Sequence, residues 1–146
     1  MWYSYTGISN REKKPMYEVG VNAQFEAAHR LVGDFGPATR MHGHTYRLEV
    51  AVRGAKLRSD GTLFDITRLQ AAVGEIVADL HYRDLGDVAG LSGINTTAEH
   101  VAGYCWRRLA AALSGLGLEQ LRVVVWENSS AYAAYEAPLT HSPLIT

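Results

Sequence analysis

Two runs of strict apolar–polar alternation bracket a histidine-bearing stretch, and that arrangement limits the fold more than any other feature. In YEVGVNAQF, residues Tyr17, Val19, Val21, Ala23 and Phe25 share one parity. In YRLEVAVR, residues Tyr46, Leu48, Val50 and Val52 do the same. Successive strand side chains point to opposite faces, so each run predicts a half-buried strand, and the two pair naturally as an antiparallel unit. Between them lie His29, His42 and His44, with Gly33, Gly36 and Pro37 breaking the chain into a loop over Val32–Met41. If the second strand starts as early as His42, then His42 and His44 point to one face.

The rest of the chain supplies two helices and a hairpin. Asp65 is a good N-cap, and Ile66, Leu69, Val73, Ile76, Val77 and Leu80 form an apolar stripe to about His81. Tyr82–Asn95, with Gly86, Gly90 and Gly93 beside Asp84 and Asp87, reads as a loop. Thr96-Thr97-Ala98-Glu99 has the form of a capping box, with Thr96 as cap and Glu99 closing it. The helix it opens runs to about Ser114, with Val101, Cys105 and Leu109 inward. Leu121–Trp126 and Ala131–Glu136 read as strands joined by a turn at Asn128-Ser129-Ser130. The order is β-β-α-α-β-β: an α+β fold in which a four-stranded antiparallel sheet carries both helices on one face. Residues 1–15 form a polar and aromatic N-terminal arm ahead of a single domain over 16–146. The arm is either mobile or docks Trp2, Tyr3 and Tyr5 on a neighbouring subunit or pocket mouth.

Composition narrows the function classes. With 14 basic and 15 acidic residues the formal net charge is −1, which gives no support to nucleic-acid binding, and no basic run marks a membrane surface. No apolar run reaches the roughly 18–20 residues of a membrane span. The N-terminus lacks a signal-like apolar core. Cys105 is the single cysteine, so an intrachain disulfide is impossible. These features fit a cytoplasmic protein.

Three imidazoles, two of them at i and i+2 and the third from a neighbouring strand, can converge on one ion. Catalytic zinc commonly takes three protein ligands and keeps a fourth position open, and no cysteine lies near enough in sequence to close the site. The alternative is a set of ordinary surface or core histidines. A His-x-His step alone is weak evidence; placed beside Phe25-Glu26-Ala27-Ala28-His29 it is stronger.

In order and spacing, FEAAHRL, HGHTY, GTLFDITRLQ, TTAEH and VVVWEN resemble the 6-pyruvoyl-tetrahydropterin synthase and 6-carboxy-tetrahydropterin synthase family, over roughly Tyr17–Glu136. The resemblance implies a tunnelling fold assembled into a barrel-like homo-oligomer, a hexamer or trimer, with sites at subunit interfaces. It implies catalytic Zn2+ on His29, His42 and His44. It places the pterin-anchoring glutamate at Glu127, and a carboxylate suits that task because it accepts two parallel hydrogen bonds from a guanidine-like edge. Thr96 and Thr97 stand at a pterin-binding step where the family has Pro-Thr, and Glu99 matches the glutamate there.

The departures from the family pattern redirect the chemistry. The family's proton-transferring cysteine lies four residues before HGH, where this chain has Ala38, and Cys105 falls on an apolar helix stripe. The family's Leu-Asp-His step aligns with Leu80-His81-Tyr82, or, with a one-residue slip, keeps His81 as its histidine. Alanine cannot replace a thiolate that shuttles protons. His81 and Tyr82 are therefore the candidate acid/base pair, beside Glu127. The reading is a zinc-dependent enzyme with a non-standard lyase or condensation/cyclisation reaction, including a Pictet–Spengler-type closure of an aldehyde with an aromatic amine, in specialised biosynthesis. The substrate would be pterin-like or an amine-bearing heteroaromatic. The alternatives are a non-catalytic zinc-containing pterin-binding module, or a pterin synthase with rebuilt acid/base residues.

Overall fold

The computed structural model describes residues 14–139. The N-terminal arm expected over 1–15 lies almost wholly outside the described residues. Strands β1 (Tyr17–His29) and β2 (His42–Gly54) are both longer than their alternating cores suggest. They pair antiparallel along their whole length, from Tyr17 opposite Gly54 to His29 opposite His42. Helix α1 covers Ile66–Leu80, strand β3 is the pair Arg83–Asp84, and helix α2 covers Ala98–Leu113. Strands β4 (Gln120–Asn128) and β5 (Ala131–Pro138) complete the sheet, whose order is β3-β1-β2-β4-β5. The four long strands are antiparallel, and β3 adds a fifth, parallel to β1 at Ala27–Ala28. That short strand falls inside the stretch expected to be a loop. Two residues are too few to show a period.

The sheet buries one parity of its strands. Phe25 and Ala27 of β1, Tyr46, Leu48, Val50 and Val52 of β2, and Leu121, Val123 and Val125 of β4 are all buried. Onto them pack Leu69, Val73, Ile76 and Leu80 of α1 and Val101, Cys105, Leu109 and Leu113 of α2. Helix α1 starts as expected, with the Asp65 carboxylate accepting from the Thr67 N–H at 2.9 Å. Helix α2 does not. Its cap is Thr97, whose hydroxyl oxygen accepts from the His100 N–H at 3.3 Å. The Thr96–Glu99 capping box is therefore corrected by one residue. Thr96 is 3% exposed, and its carbonyl meets the side chain of His29 instead.

Cys105 is fully buried in the core, and burial pushes its thiol pKa up to about 12. A protonated, sealed thiol is a poor nucleophile. Iodoacetamide is accordingly expected to label the chain in denaturant and to spare it when folded, as read by intact mass.

Candidate metal centre

The inward parity is apolar up to Ala27 in β1 and up to Tyr46 in β2, then switches to imidazole. His29 lies opposite His42, and Ala27 opposite His44, so all three histidines project from the face that carries the core. One ring nitrogen from each lies within 4.8 Å of the others. His29 is 1% exposed, while His42 and His44 are half-buried at the rim.

Backbone carbonyls orient two of the rings. His29 Nδ1 lies 2.7 Å from the Thr96 oxygen and His42 Nδ1 lies 2.7 Å from the Arg40 oxygen. A carbonyl only accepts, so each Nδ1 carries the proton and each Nε2 keeps its lone pair for a metal. His44 Nε2 sits 3.1 Å from His29 Nε2, where it donates to the free His29 nitrogen. That bond must break for both nitrogens to ligate one ion. Burial lowers the His44 pKa, the nearby Glu127 carboxylate works against that, and His29 and His42 add to the lowering. A ring held neutral is a ring ready to coordinate. The donor set, its outer partners and its open side fit a three-histidine zinc site.

Glu127 arrives beside this cluster through a β-bulge. Trp126 pairs with Tyr132 and Asn128 with Ala131, which leaves Glu127 as the extra residue. It is half-buried and acts electrostatically on both His44 and Tyr46. A cleft of about 510 Å³ contains His44, Thr45, Arg47, Trp126 and Glu127. A smaller one of about 240 Å³ contains Leu31, Phe35, Thr97, Glu99, Glu127 and Tyr132. Glu127 thus joins the histidines on one side to Thr97 and Glu99 on the other. Thr96 lies beneath His29 rather than in either cleft.

His81 and Tyr82 occupy the far edge. His81 Nδ1 accepts from the Glu26 N–H at 3.0 Å, so its Nε2 carries the proton in the neutral ring. The Tyr82 N–H donates to the Glu26 carbonyl at 2.6 Å. Tyr82 is 76% exposed and is the non-glycine residue with positive φ, 56°, among the described residues. Such a conformation is uncommon for a bulky side chain and has to be held by its surroundings. A cleft of about 520 Å³ contains Glu26, His44, Thr45, Tyr82, Arg83 and Asp84. Tyr82 therefore shares a cleft with His44, while His81 is bound to the β1 backbone. Ala38 sits in a short turn over Gly36–Thr39, where its carbonyl accepts from the Leu31 N–H at 2.9 Å.

Two features of the site escape sequence reading. Asn95 grips Val32 with its side-chain amide, accepting from the N–H and donating to the C=O, each at 2.9 Å, which ties the Ala38 loop to the Thr96 segment. Its only sequence signal is an Asn before a helix cap. Tyr46 is buried edge-on to the rings of His29 and His44, and its parity with His44 could have flagged it.

Sequence and fold both resemble those of known proteins. The family model for 6-pyruvoyl tetrahydropterin synthase matches residues 18–138. A 6-pyruvoyl tetrahydrobiopterin synthase of Dictyostelium discoideum is 32% identical over 117 residues, covering 72% of this chain and 86% of that protein. A dihydroneopterin monophosphate aldolase of Pyrococcus furiosus is 30% identical over 107 residues, covering 73% and 86%. The solved 6-pyruvoyl tetrahydropterin synthase of Caenorhabditis elegans superposes with a TM-score of 0.73 at 25% identity, covering 84% of this chain and 96% of that one. The chain belongs to the 6-pyruvoyl tetrahydropterin synthase family, and its α+β architecture is a tunnelling fold. No helix among the described residues is long and apolar enough to cross a membrane.

Proposed function

We propose that this chain is a zinc-dependent lyase acting on a pterin or pterin-like, amine-bearing heterocycle, with proton transfer assigned to Tyr82 and His81 in place of a thiolate. The observation that carries the reading is the convergence of three imidazoles beside Glu127, in a chain whose thiol position is Ala38. Zinc held by His29, His42 and His44 would supply a Lewis acid that polarises a carbonyl or hydroxyl oxygen. Glu127 accepts hydrogen bonds from the ring's amino and N–H edge, and Thr97 and Glu99 line the adjoining cleft. Thr96 acts through His29, whose orientation it fixes. Tyr82 donates or removes a proton at the His44 end of its cleft, and His81 offers its Nε2–H.

The aldolase among the relatives supports a lyase over a ring closure, because it shows that one relative in this family has a carbon–carbon lyase as its named activity. The Pictet–Spengler-type closure has no comparable residue or relative behind it. In this reading the working form is a homo-oligomer, a trimer or hexamer, with sites completed between subunits. The edge positions of β3 and β5 among the described residues are compatible with that. A single, buried cysteine suits a cytoplasmic setting.

The test is turnover followed by mass spectrometry. The zinc-loaded protein is incubated with 7,8-dihydroneopterin and its mono- and triphosphate, alone and with a panel of aldehydes and aromatic amines. The expected result is a cleaved pterin side chain that requires zinc and is lost in His42→Ala. Tyr82→Phe should lower kcat by about 10²–10⁴-fold, the usual contribution of a positioned acid or base. Tight pterin binding without product under every pairing would favour a non-catalytic binding module.

A further inference from the structure

One polar group in the wall of the site has no role in the account so far. Tyr46 is fully buried. Its ring lies 4.9 Å from that of Phe25 at 13°, a stacked pair. His44 packs edge-on against its ring at 5.2 Å, and His29 at 6.0 Å. Among the described residues its hydroxyl has no hydrogen-bond partner. A protein of this size satisfies nearly all of its buried polar groups, so an orphan at the edge of a binding site calls for a reason. Phenylalanine would fill the same space against Phe25 without that cost. The hydroxyl therefore contributes nothing to packing, and the ring that carries it lies against His44, which lines the cleft shared with Glu127.

We propose that Tyr46 is a ligand-contacting residue whose hydroxyl donates a hydrogen bond to an acceptor atom of the heterocycle lying between the histidine cluster and Glu127. The assignment rests on the pterin reading above for the identity of the ligand. The two side chains are complementary: Glu127 accepts from the ligand's donor edge, and Tyr46 donates to a ring nitrogen or carbonyl beside it. The pair selects a heterocycle with a donor and an acceptor on neighbouring atoms over an amine that offers donors alone. His44 is the half-buried cleft residue that packs against the Tyr46 ring, so a ligand that reaches the hydroxyl must pass beside it.

The test is Tyr46→Phe in the full zinc-loaded chain, with Glu127→Gln as its companion. Bare pterin is the probe, since it keeps the ring and has no side chain to cleave. Three quantities are read: zinc affinity, pterin affinity by fluorescence titration, and the melting temperature without ligand. Tyr46→Phe is expected to leave zinc affinity within about twofold and to weaken pterin about tenfold, the equivalent of about 1.4 kcal/mol. Its melting temperature should hold or rise by about 2–4 °C, because the orphaned hydroxyl is gone. Opposite signs on stability and binding are not expected of a structural tyrosine. If Glu127→Gln loses pterin but Tyr46→Phe binds it as the wild type does, the hydroxyl serves only a buried water; the pterin reading stands and the Tyr46 assignment falls. A clear drop in melting temperature in the phenylalanine variant would also overturn the assignment. If the wild type binds no pterin, both fall together.

Discussion

Glu127→Ala should reduce pterin affinity by about 10²–10³-fold while leaving the fold intact. Two charge-assisted hydrogen bonds are lost at once, each worth roughly 1.5–2 kcal/mol net of solvent, the low end of the usual range at a half-buried position. The residue sits at a bulge, outside the regular strand pairing, so its side chain supports no neighbour in the ladder. Glu127→Gln keeps the shape and one acceptor, and should fall between wild type and alanine. The same exchange removes the charge that favours protonated His44. His44 should then remain neutral to lower pH, which its ring-proton shifts in an NMR titration would report. Equal pterin affinity in all three proteins would remove Glu127 from the site.

The second large effect is on stability. Phe25→Ala should cost about 3–5 kcal/mol, the range for deleting a buried aromatic ring. Phe25 is fully buried and stacks on Tyr46 directly across the β1–β2 pair. Its loss opens a cavity next to the residues that carry His44, so metal affinity should decline along with stability. Chemical denaturation would show a lower midpoint with an unchanged slope. Urea unfolding indistinguishable from wild type would mean that the core is not centred where the helices meet β1 and β2.

Much of this protein can be read from its sequence, because the period-two runs are long. Thirteen-residue strands with one buried parity leave little freedom in register, and the register alone brings His29, His42 and His44 together. The helix stripes are equally plain. What failed to show was set by tertiary context. Thr96 and Thr97 are interchangeable as caps by local chemistry; burial of Thr96 against His29 decides between them. Strand β3 is two residues long, and its pairing with β1 continues the contacts that His81 and Tyr82 make with Glu26. The bulge that places Glu127 is likewise a property of the β4–β5 pairing, since nothing in Trp126-Glu127-Asn128 marks an extra residue. The sequence offers His81 and Tyr82 as a pair, and only the fold separates them: His81 has one ring nitrogen committed to the backbone, whereas Tyr82 shares a cleft with His44.

The central claim is that three histidines form one open metal centre. Zinc content per chain tests it most directly, measured by inductively coupled plasma mass spectrometry after chelator treatment, reloading and exhaustive dialysis. The wild type should retain about one zinc per chain, as a three-histidine site does. His29→Ala, His42→Ala and His44→Ala should each retain less than about a tenth of that. A wild type that holds no zinc after reloading, or single variants that hold as much as the wild type, would contradict the claim.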